Sequence, residues 1–574
     1  MTFPSPSLFL TLPWPDIQPY FDTLEAQPLT PDTVETWLAD WSRLAELLRE
    51  RAARIRVATV QDTTDANAEA AFKDYLQNIF PHAQKGNHAL TQKLLAYHAV
   101  TGLTPPGMEL PLREMRVEAE LFREANLPLQ AAEQQNAIRF NKLVGAQTVT
   151  WDGEETTITQ LSPRYMASDR ATREQMWHTI NAREQADRAP INELWAEVLG
   201  LRLKIAENTG FGEDYRAYRW QYLKRFSYTP ADCRTFHAAI EQVAVPAAGR
   251  VYAKHRARLG VESLRPWDLD LYQQTYPIET DDLRPFDGET ELLDRGSAIF
   301  HHVDPALAAY FDTMRAEGLI DFVNRKGKGP GAFCTGYEAI YRPFIFGNAV
   351  GQPADVNTLL HESGHAFHAF ETFKLPYYFQ RDAPMEFNEV ASMAMELLSA
   401  PYLTHDFGGY YTPAQAARAR LRHLEKNLLF WPYMAVVDAF QHWVYENPIL
   451  AADAKNCDAA WSDLWDRFIP FVDFTGLEDA KTLGWHRKRH IHRSPFYYIE
   501  YGLAQLGATQ VWGNALRDQA GAVAAYRSAL ALGGTAPLPE LYRTAGAKFA
   551  FDVETVGAAV ALTERVIGEL EGKL

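Results

Sequence analysis

Two histidines separated by three residues constrain this sequence more than any other feature, in the segment His361-Glu362-Ser363-Gly364-His365. Residues four apart on a helix lie one turn above each other on the same face, so the two imidazoles can share one metal ion. The glutamate beside the first histidine is then close enough to act on a metal-bound water. The segment predicts a helix that carries a zinc site, with Glu362 as general base.

Two histidines leave a catalytic zinc site one protein ligand short, and the position of the third ligand separates the enzyme classes. Metzincins need a glycine and then a histidine at positions where this chain has His368 and Glu371. A thermolysin-type spacing would put a glutamate where the chain has Pro384 and Met385. The metzincin class is therefore excluded, and the thermolysin class does not fit well.

Two glutamates follow at a slightly greater distance, Glu386 and Glu389. Glu389 begins the segment Glu389-Val390-Ala391-Ser392, which runs into an apolar helix from Met393 to Leu398. A glutamate on a second helix packed against the first could complete the site. The residues alone leave the choice between Glu386 and Glu389 open.

The length and charge of the chain exclude some classes of protein. At 574 residues and 65.0 kDa, it can form two or more packed units with a deep cleft. The formal charge of -17 argues against a nucleic-acid partner, because phosphate binding needs a basic surface. The sequence contains no apolar run long enough for a membrane span. We therefore expect neither nucleic acid nor membrane as a partner.

The cysteines and the N-terminal segment indicate the compartment. Cys233, Cys334 and Cys457 are odd in number and far apart, so neither a disulfide framework nor a cysteine zinc site is implied. Pro13 and Pro15 interrupt the apolar N-terminal segment, which has no basic residues before it, so it does not resemble a signal peptide. We expect a cytoplasmic protein.

Most of the chain shows helical periodicity. Thr30 followed by Pro31 predicts a helix start. The next apolar residues repeat at helical spacing and predict a buried face, formed by Trp37, Trp41, Leu44 and Leu48. A polar stretch from Gln185 to Asn192 is the candidate boundary between an N-terminal helical region, 1–190, and a catalytic domain, 191–574, that carries the zinc motif.

A few segments predict strands instead. Residues 149–154 resemble a short hairpin with an Asp-Gly turn. Between Gly327 and Gly351 the helical periodicity is lost, and two short strands are expected at 332–335 and 343–346. Asp355 then caps the helix that carries the two histidines.

Several motifs together resemble the thimet oligopeptidase family of zinc peptidases, and most closely its bacterial oligoendopeptidase F branch. They cover residues 330 to 505. The segments that carry the resemblance are the zinc motif Leu360–His368 with its lead-in Asp355–Thr358, the segment Phe387–Ser392, the helix Asp438–Tyr445, and the segment His490–Tyr501.

The resemblance implies a set of roles at the zinc site. Glu389 is the third ligand of one zinc ion per chain, beside His361 and His365, and Glu362 activates the zinc-bound water. His368 is a packed or second-shell residue, since the family repeats this histidine without using it on zinc. Ser392 lies one turn past Glu389, where it can hydrogen-bond a ligating group.

Negative charge develops on the carbonyl oxygen during amide hydrolysis, and donors aimed at it lower the barrier. From composition alone the aromatic residues around Tyr497 would be core. The resemblance implies instead a substrate loop, in which His490, Tyr498 and Tyr501 stabilise the oxyanion and Tyr497 contacts the substrate.

The family's fold is mainly α, with two helical lobes around a deep substrate channel and a small β element near the zinc site. A strand near Gly331, Ala332, Phe333 and Cys334 can pair with the substrate backbone by strand addition. We therefore expect an endopeptidase that hydrolyses internal bonds of short peptides.

Two alternatives remain open. The first is a zinc carboxypeptidase, which needs a fixed cation for the substrate's terminal carboxylate, with Arg342, Arg487, Lys488 and Arg489 as candidates. The second is a peptide-binding scaffold without activity. Glu362 argues against the scaffold, because a binding protein has no need of the base.

Overall fold

The computed structural model describes residues 1–271, 274–278 and 283–574, and the fold is mainly helical, as the sequence predicts. The helices in chain order are α1 (Pro6–Phe9), α2 (Trp14–Ala26), α3 (Val34–Gln61), α4 (Ala66–Asp74), α5 (Phe80–Thr101), α6 (Glu109–Leu121), α7 (Leu127–Gly145), α8 (Ile158–Ala167), α9 (Arg170–Ala186), α10 (Arg188–Thr209), α11 (Tyr215–Tyr222), α12 (Pro230–Ala239), α13 (Val245–Leu259), α14 (Gly288–Val303), α15 (Pro305–Ala316), α16 (Pro353–Thr372), α17 (Met385–Ser399), α18 (Pro413–Glu446), α19 (Pro448–Ala451), α20 (Ala454–Phe468), α21 (Glu478–Thr482), α22 (Gly484–Arg487), α23 (Arg489–Arg493), α24 (Tyr498–Ala515), α25 (Gln519–Leu530), α26 (Leu538–Thr544) and α27 (Val553–Glu571). No helix in the described ranges is both long and apolar enough to span a membrane.

The described strands form two small sheets. Strands β1 (Thr148–Trp151) and β2 (Glu154–Thr157) pair antiparallel, and the Asp-Gly turn between them has positive φ angles, as the predicted hairpin requires. Strands β3 (Ile320–Val323), β4 (Phe333–Tyr337) and β5 (Arg342–Ala349) form a mixed sheet in the order β3-β5-β4. The two predicted strands correspond to β4 and β5, and β4 lies at the edge of its sheet.

The chain divides into two compact units, each made of separate stretches of sequence. Unit 1 comprises Met1–Glu120, Leu283–Ala419 and Gly507–Phe549, and unit 2 comprises Leu121–Asp282, Arg420–Leu506 and Ala550–Leu574. None of the changes of unit falls near 190. The division into regions 1–190 and 191–574 stays a prediction from the sequence, and the compact units divide the chain elsewhere.

The long helix α3 shows how local sequence sets the first part of unit 1. Its four predicted core residues are all buried, and Trp37 Nε1 donates to the carbonyl of Leu24 at 2.8 Å. The predicted helix start at Pro31 is wrong, because α3 begins at Val34. The Thr33 hydroxyl accepts from the backbone N–H of Thr30 at 3.0 Å and closes a separate turn ahead of the helix.

Helices α16 and α17 of unit 1 pack closely at Gly364. A Cβ atom built on Gly364 would lie 2.6 Å from both the Ala391 carbonyl oxygen and the Ser392 Cα. The Tyr526 hydroxyl donates to the same Ala391 carbonyl at 2.7 Å, which holds α17 in place from the other side. Only glycine allows this backbone approach.

We therefore predict that Gly364→Ala lowers stability, because neither backbone can move aside. Overpacking of this kind costs about 1–3 kcal/mol, which should appear as a lower apparent Tm in thermal unfolding. Gly200 is the matched control, since it is exposed within α10 and a Cβ there meets nothing within 4 Å. Gly200→Ala should be neutral or slightly stabilising, and equal Tm values for the two variants would contradict the prediction.

Candidate metal centre

The start of α16 fixes where the two histidines of the motif lie. Pro353 occupies the first helical turn, and the Asp355 carboxylate accepts from the backbone N–H groups of Val350 and Gln352, each at 2.8 Å. Asp355 therefore caps the helix as the sequence predicts, from the third helical position rather than ahead of it. The helix continues without interruption through the zinc motif.

Three side chains from α16 and α17 converge on one point. His361 Nε2 lies 3.5 Å from Glu389 Oε2, and His365 Nε2 lies 3.9 Å from the same oxygen. One donor atom from each of the three residues lies within 4.8 Å of the other two. Ligand atoms around a tetrahedral zinc ion are about 3.3–3.5 Å apart, given bonds of about 2.0–2.2 Å, so the group needs only a small contraction.

The two other residues considered as ligands do not join this group. His368 is buried on α16 and its ring packs at an angle of 85° to Phe387, at 6.1 Å. Burial lowers the pKa of His368 to about 4, so the ring is neutral. Glu386 is also buried, at the start of α17. Neither belongs to the set of donors that meet in the described residues.

Two residues of α17 position the donors. The Ser392 hydroxyl lies 3.2 Å from Glu389 Oε2 and can donate to that carboxylate. Glu396 Oε1 lies 2.7 Å from His361 Nδ1 and was missed by the sequence reasoning. Residues 389, 392 and 396 share one face of α17, and that helical spacing is the signal that could have revealed Glu396.

The contact with Glu396 decides which atom of His361 is available. A carboxylate on Nδ1 keeps a proton at that atom, which leaves Nε2, facing Glu389 and His365, as the atom that can bind a metal ion. This carboxylate–histidine pairing is the usual support of a metal-ligating imidazole. About a quarter of the His361 side chain stays exposed, which leaves the point of convergence accessible.

The site concentrates negative charge in a buried place. Burial raises the pKa of Glu389, and it raises the pKa of Glu362 to about 7 with the help of Glu389 and Glu396. Burial alone would lower the pKa of His361, but the carboxylates of Glu396, Glu389 and Glu362 raise it to about 9. Burial also holds the pKa of His365 well below its usual value. A divalent cation would stabilise the ionised carboxylates and the neutral imidazoles together.

Glu362 lies on α16, and one of its two carboxylate oxygens makes no hydrogen bond. The residue is buried, and its Oε2 has no hydrogen-bond partner. Its carboxylate is hydrogen-bonded to the backbone of Cys334, which favours the ionised form. Cys334 is the second residue of the edge strand β4, so the strand predicted to bind substrate adjoins the predicted base.

The remaining residues predicted on that strand lie as follows. Phe333 is the first residue of β4 and pairs with Phe346 of β5. Gly331 and Ala332 precede the strand, and the Gly331 carbonyl accepts from Asn348 Nδ2 at 2.8 Å.

The histidine and tyrosines predicted as a loop lie in unit 2, and all but Tyr497 are helical, so the loop assignment is wrong for these residues. His490 belongs to α23, Tyr498 and Tyr501 form the first turn of α24, and Tyr497 directly precedes α24. The four rings form one cluster, with His490 5.1 Å from Tyr498 and 6.3 Å from Tyr501 between ring centroids.

The rings of this cluster differ in exposure. Tyr498 is buried, and the ammonium of Lys488 lies over its ring at 3.8 Å. Tyr497, Tyr501 and His490 are partly exposed. Burial lowers the pKa of His490 to about 4, with nearby Lys488 lowering it further, so the imidazole is neutral and keeps one N–H donor.

The helical fold brings the H-E-x-x-H segment and a glutamate of a second helix to one point, which is the set of donors that a metallopeptidase needs. The sequence pattern of Peptidase family M3 matches residues 165–556. The chain belongs to this family. That result confirms the resemblance on which the site residues were assigned.

Curated relatives match over a shorter stretch. The chain is 26% identical over 253 residues to Oligopeptidase A of Escherichia coli (strain K12), and 25% identical over the same length to Oligopeptidase A of Salmonella typhimurium. The matched stretch covers 35% of this chain and 37% of each relative.

Solved structures match over nearly the whole chain. A structure titled PZ peptidase A with inhibitor 2 has a TM-score of 0.83 at 24% identity, with 97% of each chain covered. A putative oligoendopeptidase F has a TM-score of 0.82 at 25% identity, with 98% and 97% covered. A putative oligoendopeptidase F from Bacillus anthracis str. Ames has a TM-score of 0.80 at 22% identity, with 97% and 96% covered. These likenesses show the fold.

We predict that Glu396→Gln weakens metal binding by about 10–100-fold, the usual effect of removing the partner of a ligating histidine. The amide keeps the size of the side chain but loses the charge that holds His361. Competition with a chromogenic chelator measures the affinity directly, without an assay of activity. Glu386→Gln, on the same helix but outside the donor group, is the control, and equal affinities for the two variants would refute the role of Glu396.

Proposed function

We propose that this chain is a zinc-dependent endopeptidase that hydrolyses internal bonds of short peptides. The observation that carries the proposal is the convergence of His361, His365 and Glu389 beside Glu362, whose buried carboxylate has an uncommitted oxygen. Imidazole and carboxylate donors in this number are those of catalytic zinc sites.

When bound, a zinc ion supplies Lewis acidity at this point. The chain's own residues supply the proton transfers. Glu362 takes a proton from the attacking water and returns it to the leaving amine, which requires a carboxyl group that changes protonation easily near neutral pH. Burial is the largest cause that raises the pKa of Glu362, and this cause is independent of a bound ion.

The ring cluster of unit 2, which contains His490 and the three tyrosines, is proposed to stabilise the developing oxyanion, as the family resemblance implies. His490 supports this role because a neutral imidazole can donate its N–H without carrying charge. Tyr501 is the better candidate among the tyrosines, since it is partly exposed while Tyr498 is buried under Lys488. Tyr497 is partly exposed on the same cluster and is proposed to contact the substrate.

The edge strand β4 is proposed to hold the peptide backbone. Edge strands present unpaired N–H and C=O groups, and an extended peptide can add to them. A cavity of about 490 Å³ in unit 1 is lined by Thr335 of β4 together with Arg49, Phe72 and Tyr378. Backbone pairing gives affinity without a strict sequence requirement, which fits a peptidase for varied short peptides.

The carboxypeptidase alternative needs a cation free to bind a terminal carboxylate. Arg342 pairs with Glu317 through both Nε and Nη2, and Arg487 Nε lies 2.8 Å from Glu184 Oε2. Lys488 is occupied in contacts with two aromatic rings. These contacts count against three of the four candidate cations, and the fourth, Arg489, is exposed. We also propose a cytoplasmic location, since the three cysteines form no disulfide.

A mixed peptide library tests this function. We expect chelator-sensitive cleavage inside peptides of roughly 5 to 20 residues, including peptides with amidated C-termini, with the cut bonds mapped by mass. Glu362→Gln is the matched control and should keep its metal while kcat falls by about 10²–10⁴. Cleavage restricted to free C-termini would support the carboxypeptidase, and turnover of folded proteins at a comparable rate would contradict the restriction to short peptides.

The tyrosines give a second prediction. Tyr501→Phe should lower kcat by about 10²–10³ with little change in KM, since an oxyanion donor acts mainly in the transition state. Tyr498→Phe is the matched control, because Tyr498 is buried under Lys488 and should affect stability more than kcat. His490→Ala should resemble Tyr501→Phe. If all three variants keep their kcat and only unfold more easily, the cluster is structural.

A further inference from the structure

Unit 2 holds a second group of metal-type donors that the proposed peptidase mechanism does not use. Helix α12 supplies Cys233 and His237, and helix α18 supplies Asp438 and His442. Each pair is four residues apart, so each pair lies on one face of its helix. The group therefore consists of two helix faces that present donors to each other.

The spacing of these donors resembles that of the site on α16 and α17. One donor atom each from Cys233, Asp438 and His442 lies within 4.8 Å of the other two. His442 Nε2 is 3.4 Å from Asp438 Oδ2, which matches the 3.5 Å between His361 Nε2 and Glu389 Oε2. These separations are those of ligand atoms around one ion rather than of a direct hydrogen bond.

All members of this second group are buried and some of their polar atoms are unsatisfied. Asp438 is fully buried and His442 is 3% exposed. Both ring nitrogens of His442 and the Oδ1 atom of Asp438 have no hydrogen-bond partner. Leaving a buried polar atom without a partner is unfavourable, so three such atoms in one place point to something that binds there.

A further contact orients the carboxylate of this group. His237 Nε2 lies 2.9 Å from Asp438 Oδ2 and can hydrogen-bond that oxygen. A cysteine thiol that gives up its proton when a metal binds would, together with the carboxylate, balance the charge of one divalent ion.

We propose that Cys233, Asp438 and His442 bind a second, structural divalent metal ion of the zinc class. His237 is a positioning residue, which holds the ligating carboxylate through its hydrogen bond. Three protein ligands leave a fourth position for a water molecule. A thiolate ligand favours zinc over magnesium or calcium, which prefer oxygen.

The site would brace the turn that precedes α24. The ring of His442 packs against Phe496 at 5.1 Å, and the Phe496 N–H donates to Gln441 Oε1 at 2.6 Å. Phe496 has a φ of +64°, a left-handed conformation that a bulky residue holds only when its surroundings enforce it. Fixing His442 therefore helps to fix this turn and the tyrosines that follow it.

Cobalt spectroscopy tests the proposal on the full chain. Protein produced in zinc-poor medium supplemented with cobalt should contain two ions per chain by elemental analysis. It should also show thiolate-to-cobalt charge-transfer absorption, which the histidines and glutamate of the other site cannot give. Cys233→Ser should lose this absorption and one ion, while Cys457→Ser and Cys334→Ser should keep both.

The wild-type measurement decides the matter even if Cys233→Ser does not fold. One ion per chain without charge-transfer absorption would overturn the proposal and leave a buried His237–Asp438 hydrogen bond with His442 packed beside it. Absorption that disappears with Cys334→Ser but not with Cys233→Ser would also overturn it, because the thiolate would then belong to the site beside Glu362. Two ions with absorption that depends on Cys233 is the expected result.

Discussion

The close approach of α16 to α17 at Gly364 is the contact on which the metal centre depends. Two ligands lie on one helix and the third on the other, so the distance between the helix axes sets the distance between the ligand atoms. A side chain at position 364 would meet the backbone of Ala391 and Ser392. The glycine within the H-E-x-x-H segment thus allows the two helices to approach, while the histidines and the glutamate of the segment supply the reactive groups.

A second constraint is that three carboxylates lie close to the imidazoles of the site. Glu362, Glu389 and Glu396 all influence His361, and their mutual repulsion is part of what raises the pKa of Glu362. Without a cation this arrangement is costly, because buried like charges oppose ionisation. The electrostatics of the helices therefore favour a bound cation, which would offset the repulsion among these carboxylates.

The sequence predicted the parts of the site that depend on local spacing. Periodicity within α16 gave His361, Glu362 and His365, and the family resemblance gave Glu389. Glu396 was missed because its role depends on how two helices pack, although it shares a helix face with Glu389.

Predictions that needed tertiary information were less successful. Residues His490 to Tyr501 were expected as a loop, yet His490 lies on the short helix α23 and Tyr498 begins the 18-residue helix α24. The start of α3 was placed three residues early, because a threonine turn competes with the helix. The donors of α12 and α18 are about 200 residues apart in sequence, and no local pattern connects them.

The interleaving of the two units has a consequence for how the protein is made. Unit 1 is complete only when residues 507–549 exist, since they include Tyr526, whose hydroxyl holds the Ala391 carbonyl of α17. The ribosome therefore releases α16 and α17 long before their final partner emerges. During that interval the helix pair has to avoid wrong associations, and such long-range dependence slows folding. Chaperone protection of the nascent chain would matter most between the synthesis of α17 and that of α25.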